Sequence, residues 1–140
     1  MKLNKQLLDI ERIFEVQYEK KQKEFRELTL QETRLRTEIA ELNSRYLESC
    51  EIGNARFEMR SIGADVAWNA WVGRKKTELN VELAQVLAVK DRNLRLVKEA
   101  FGKLSVAREL SRKMRLKHKN MLREKALIQA IENSTQTHSN

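Results

Sequence analysis

An apolar side chain returns every three or four residues along almost the whole of this 140-residue chain, and no proline interrupts the pattern. The first run reads Leu3, Leu7, Ile10 and Phe14, then Phe25, Leu28, Leu35, Ile39, Leu42 and Tyr46. A second run reads Ala55, Met59, Ile62 and Val66, then Leu83, Leu87, Leu94, Val97, Phe101 and Leu104. Alternating steps of three and four place side chains on one narrow face of an α-helix. A seam this narrow buries itself against one or two other helices rather than filling a globular core. The pattern therefore predicts an all-α fold: a long antiparallel two-helix coiled-coil hairpin with a longer C-terminal helix, a rod rather than a ball.

The first helix is expected over about residues 3–50, with mixed charges on its exposed side. Glu11 and Glu15 stand against Lys20, Lys21 and Lys23, and Glu41 precedes Arg45 by one helical turn. Polar residues at Gln17, Lys21 and Glu24 predict loose packing there and a one-residue slip of the seam. The best turn signal is Glu51-Ile52-Gly53-Asn54, because glycine tolerates positive φ and asparagine can cap a new helix. The second helix is then expected over about 55–131. Gly63 and Gly73 fall inside it, as kinks or as the true turn. Residues 1–131 would form the hairpin. The patternless polar stretch 132–140 reads as a disordered tail. The longer arm would outreach its partner by about 25 residues.

Charged residues make up 34% of the chain and apolar ones 41%, which suits long solvated helices. No apolar run approaches a membrane span, and the opening residues carry no signal-like apolar stretch. The lone Cys50 has no partner for an internal disulfide, so the chain is either built for a reducing compartment or indifferent to redox state. The two histidines, the single cysteine and the scattered carboxylates form no catalytic or metal-binding set. Gly73-Arg74-Lys75-Lys76 lacks the spacing of a phosphate-binding loop. The chain reads as non-enzymatic, with no cofactor or small-molecule substrate.

Its net charge of +8 is concentrated in residues 103–140, which carry +6. Arg108, Arg112, Arg115, Lys119 and Arg123 step by four, three, four and four, and so form one basic stripe. Leu104, Ala107, Leu110, Met114, Met121 and Ile128 lie beside it. Such a stripe is either a solvated face or a partner-binding surface for acidic protein loops, anionic lipid or phosphates. Trp68 and Trp71 sit one turn apart. They are either an aromatic anchor for a partner or packing on the flank of the hairpin. Asn69, Lys76, Asn80 and Lys90 fall at seam positions, where polar residues fix register.

The leucine seam opening at Leu3-Leu7-Leu8-Ile10, the single hairpin, the longer basic arm and the polar end resemble the FliJ/YscO family of bacterial type III export systems. The resemblance covers roughly residues 3–131. Its most distinctive text is the run from Ile62 to Arg74, which looks like the middle segment of divergent flagellar members. It implies a monomeric coiled-coil stalk in the central hole of an export ATPase hexamer. Its partners would be that hexamer, an export gate membrane protein and export chaperones. The location would be the cytoplasm, peripheral to the membrane gate. The end bearing Arg108, Arg112, Arg115, Lys119 and Arg123 would enter the ring. The alternative is a coiled-coil adaptor whose basic C-terminal helix binds anionic membrane or nucleic acid.

Overall fold

With no proline and few glycines, helix propagation meets little resistance, and the chain forms two long helices. The computed structural model describes residues 2–55 and 63–139, with side chains for all of these except 52–55. Helix α1 spans Lys2–Ala55 and helix α2 spans Ala64–His138. The fold is an all-α two-helix hairpin whose C-terminal helix is the longer, 75 residues against 54. No strand occurs among the described residues.

The break expected at Glu51-Ile52-Gly53-Asn54 is corrected, because α1 continues through all four residues to Ala55. A glycine inside a helix costs only about 1 kcal/mol relative to alanine, which a long established helix absorbs. Gly63 instead adopts φ of 73°, and α2 starts at the next residue. That left-handed backbone is open to glycine at no steric cost. The Gly63 carbonyl accepts the first helical bond from the Ala67 amide at 3.2 Å. Asp65 lies in the first turn, where a carboxylate complements the helix dipole. The start of α2 thus moves from about residue 55 to Ala64, and residues 56–62, including Met59 and Ile62 of the expected seam, lie outside the described residues. Gly73 is an interior helical residue.

The stretch 132–138, expected to be a disordered tail, is the last two turns of α2. Ser134, Thr135 and Thr137 hydroxyls donate to backbone carbonyls three or four residues earlier, and no glycine or proline stops the helix. Thr29, Thr33 and Thr37 make the same backward bond along α1, to the carbonyls of Phe25, Thr29 and Thr33.

The chain divides into two compact units. The first, Lys21–Val97, contains the lower part of the seam. Leu35, Leu42, Val72 and Leu79 form its buried cluster, with Ile39, Tyr46, Trp68, Leu83 and Val86 packed against it. Lys90 donates to Glu32 at 2.8 Å, while Trp68 reaches Ser49, so residue numbers rise along one helix as they fall along the other. The helices here are therefore antiparallel. Lys90 fills the seam position expected of it and also sits 5.3 Å from the centre of the Phe25 ring. Asn69, Lys76 and Asn80, expected at the seam, are exposed instead. Among the described residues of this unit, the buried polar one is Asn93.

The second unit comprises Met1–Lys20 and Lys98–Asn140. Its seam on α2 is Ala100, Leu104, Ala107 and Ser111, with Leu104 only 1% exposed. Phe101, read as a seam residue, is half exposed and lies on the flank against Tyr18, with ring centres 5.5 Å apart. Leu3 and Ile10 also lie outside the buried line. Three of the four seam positions on α2 are small residues, Ala100, Ala107 and Ser111. Arg108 lies 3.8 Å from Glu11 and 3.6 Å from Glu15, so those two acids meet the opposite helix rather than only their lysine neighbours in sequence.

The expected slip near residues 17–24 is absent. The positions of α1 that are at least half covered include Phe14, Tyr18, Lys21, Phe25 and Leu28, in unbroken steps of four, three, four and three. Lys21 is accommodated by pairing with Glu24 at 3.3 Å.

Two measurements probe this seam. Leu104→Ala removes the most buried side chain and leaves a cavity, so urea unfolding should show a loss of about 2–4 kcal/mol. The hydrogen bond from Lys90 holds the Glu32 carboxyl below its ordinary range; desolvation opposes it, and the weaker hydrogen bond from Arg36 adds to the lowering. A depressed folded-state pKa gives stability that is present above the unfolded value and lost as pH falls through the folded one. Melting at neutral and at acid pH should therefore show a smaller acid-induced drop in Tm for Glu32→Gln than for the parent chain. Equal drops would remove Glu32 from that role.

Candidate docking surfaces

Chemistry in a chain of this kind must come from what the seam leaves uncovered. In the unit Lys21–Val97 the two tryptophans separate into different roles. Trp68 is half-buried on the core cluster, and its indole N–H donates to the Ser49 hydroxyl at 2.8 Å. Ser49 donates in turn to the Tyr46 carbonyl at 2.7 Å. Trp71 lies one turn on and stacks on Trp68, with ring centres 5.3 Å apart and planes 20° from parallel. Its outer face is open to solvent. Trp68 is thus a packing residue with its polar atom satisfied, and Trp71 is the exposed half of a rigid aromatic step. A hydrogen bond with Cys50, followed by that thiol's charge, pushes the Tyr46 phenol above its ordinary pKa. The same unit carries an open groove of about 450 Å³ lined by Leu28, Gln31, Val89, Asn93 and Leu96. The Asn93 amide nitrogen is buried there without a protein partner.

In the unit of residues 1–20 and 98–140, the basic stripe is present as one face of α2, but its members are not equivalent. Arg108 is held by Glu11 and Glu15. Arg112 pairs with Glu109 at 2.7 Å, and the bond draws the Glu109 carboxyl below its ordinary pKa and raises that of Arg112. The Arg115 side chain donates to the Ser111 carbonyl at 3.4 Å. Lys119 and Arg123 have no ion-pair partner among the described residues and stand exposed. Charge available to a partner therefore increases toward the C-terminal end of α2. Glu11 lies opposite Arg108, and the described part of α1 reaches back only to Lys2, so α2 runs on for about 20 residues without it, at one residue for one along an antiparallel pair. Every residue from Arg115 to Ser139 is exposed.

Sequence reading by seam alone missed a third surface. Leu7, Ile10 and Phe14 of α1 and Val106, Ala107 and Leu110 of α2 line an apolar groove of about 530 Å³. Gly102 lies at its edge and presents no side chain; a Cβ there would meet nothing. The signal was present as apolar residues one helical position off the seam: Ile10, Val106 and Leu110. Beyond the groove, Leu127, Ile128 and Ile131 are more than half exposed. None of the described helices is long and apolar enough to cross a membrane.

No family model matches this chain, and neither curated proteins nor solved structures gave a significant match.

The assignment of the tryptophans can be tested by unfolding. Trp68→Ala should cost about 2–3 kcal/mol, toward the low end for removing a large aromatic because the ring is only half-buried. Trp71→Ala should cost about 1 kcal/mol, the worth of an aromatic stack. The reverse order would make Trp71 the structural residue.

Proposed function

We propose that this chain is a non-enzymatic docking protein whose α2 arm inserts its basic end among acidic side chains of a partner. The system that fits best is a bacterial flagellar or type III protein export apparatus, with the arm in the central opening of the export ATPase hexamer. What carries the reading is the gradient of pairing along the stripe. Arg108 and Arg112 are paired within the chain, whereas Lys119 and Arg123 are exposed and have no ion-pair partner among the described residues. Unpaired cations on a stiff helix present charge in fixed positions, which favours fast and orientation-specific association. The likeness to the FliJ/YscO family supports the same assignment, together with a gate membrane protein and export chaperones as further partners and a cytoplasmic position beside the gate.

The test is addition of the purified chain to the export ATPase of its own genome. Hexamer formation and ATP turnover should both rise. Lys119→Glu with Arg123→Glu should remove most of that gain, whereas Lys75→Glu, on the other unit, should not. Unchanged hexamer formation and turnover would refute the reading. Salt-sensitive binding to anionic vesicles or to DNA in place of the ATPase effect would establish the adaptor alternative.

A further inference from the structure

One line of α2 residues remains after the seam and the basic stripe are assigned. It runs 99, 103, 106, 110, 113, 117, 120, 124, 127, 131, 134 and 138, in steps that alternate four and three throughout. On a helix this is a single lane. It lies on the side of α2 away from most of the basic stripe, and every one of its residues is exposed. All of it belongs to the unit of residues 1–20 and 98–140.

The lane is complementary to itself when read backwards. Placing 117 opposite 120 of an antiparallel copy puts Lys113 opposite Glu124. The next steps outward set Leu110 against Leu127 and Val106 against Ile131. At the ends, Lys103 meets Ser134 and Glu99 meets His138. Each position thus faces a residue of suitable chemistry: apolar against apolar, or a charged residue against its opposite or a neutral hydrogen-bonding group. The four apolar members are 61%, 48%, 63% and 55% exposed for Val106, Leu110, Leu127 and Ile131. Two of them, Val106 and Leu110, line the groove formed with Leu7, Ile10 and Phe14.

We infer that the chain forms an antiparallel two-fold dimer through this lane. Leu127 and Ile131 of each copy enter the Val106–Leu110 groove of the other, and two Lys113–Glu124 ion pairs flank the centre. A second copy is the occupant because the complementarity is reciprocal: one lane supplies both halves of the contact, as an isologous interface requires. The length also suffices. Forty residues of paired helix extend about 60 Å, enough for an interface on the order of the ~800 Å² per partner of stable complexes. Arg112, Arg115 and Lys119 stay on the outer side, so their like charges do not face one another across the contact. The inference does not depend on the export reading, since self-association is measured with this chain alone.

Sedimentation equilibrium of the full chain tests it. The parent protein should populate a dimer. Lys113→Glu and Glu124→Lys should each weaken association by about tenfold or more, because each change places like charges at two symmetric sites. The double variant Lys113→Glu/Glu124→Lys should return to within about threefold of the parent, the recovery expected when the pair is restored in reverse. Both positions are exposed, so circular dichroism should report unchanged helix in all variants. A chain that is monomeric throughout, single variants that associate like the parent, or a double variant no better than the singles would each overturn the inference.

Discussion

Two helices held by one seam must settle both packing and register along a single line, and everything else in this protein follows from how that line is filled. Large apolar side chains occupy it around Leu35, Leu42, Val72 and Leu79. Alanine, serine and one leucine occupy it around Ala100, Leu104, Ala107 and Ser111. Between helices, small residues permit close approach but supply little transfer free energy, whereas leucine layers supply more. Each unit is therefore fixed partly by polar contacts at or beside the seam: Glu32 with Lys90 in one, Glu11 and Glu15 with Arg108 in the other. Partly exposed pairs of this kind add modest stability and considerable specificity of register.

The cost of a narrow seam is that many apolar residues stay outside it. Leu3, Ile10, Val106 and Leu110 lie on the flank, and Leu127, Ile128 and Ile131 lie on the exposed C-terminal stretch of α2. Scattered exposed leucines need no explanation, but an ordered lane of them beside a groove does. The basic residues follow a similar division. Arg108 is held by carboxylates of α1 and Arg112 by Glu109 of its own helix, whereas Lys119 and Arg123 have no ion-pair partner among the described residues. One helix thus carries an apolar lane and a basic face directed to different sides.

Helix content, helix number and the greater length of the second helix were legible in the sequence, because a stepwise apolar pattern without proline admits little else. The phase of the seam was legible only where it is leucine-rich. Around Ala100, Ala107 and Ser111 the true seam residues are small or polar, so a reading guided by large side chains moved onto Phe101 and Ile10, one position away. Lys90 was recognised at the seam because its neighbours fixed the phase. The turn was misplaced since Gly53-Asn54 and Gly63 offer similar local chemistry, and only the backbone shows that Gly53 stays helical while Gly63 takes positive φ. At the candidate sites, the basic stripe was visible as spacing. Its unequal availability was not, because Glu11 and Glu15 are about a hundred residues from Arg108 in sequence. Nor could spacing tell Trp68 from Trp71, whose difference rests on the Ser49 hydroxyl across the helix pair.

That tryptophan pair has a practical corollary. Both indoles of the chain lie in the unit Lys21–Val97, locked face to face. The unit that carries the basic arm contains none, so its ultraviolet emission is limited to tyrosine and phenylalanine. Excitation selective for indole therefore views one half of the molecule only. Any quenching or spectral displacement seen on ligand binding reports a change around the indoles of the unit Lys21–Val97, and a change confined to the other unit leaves that signal silent.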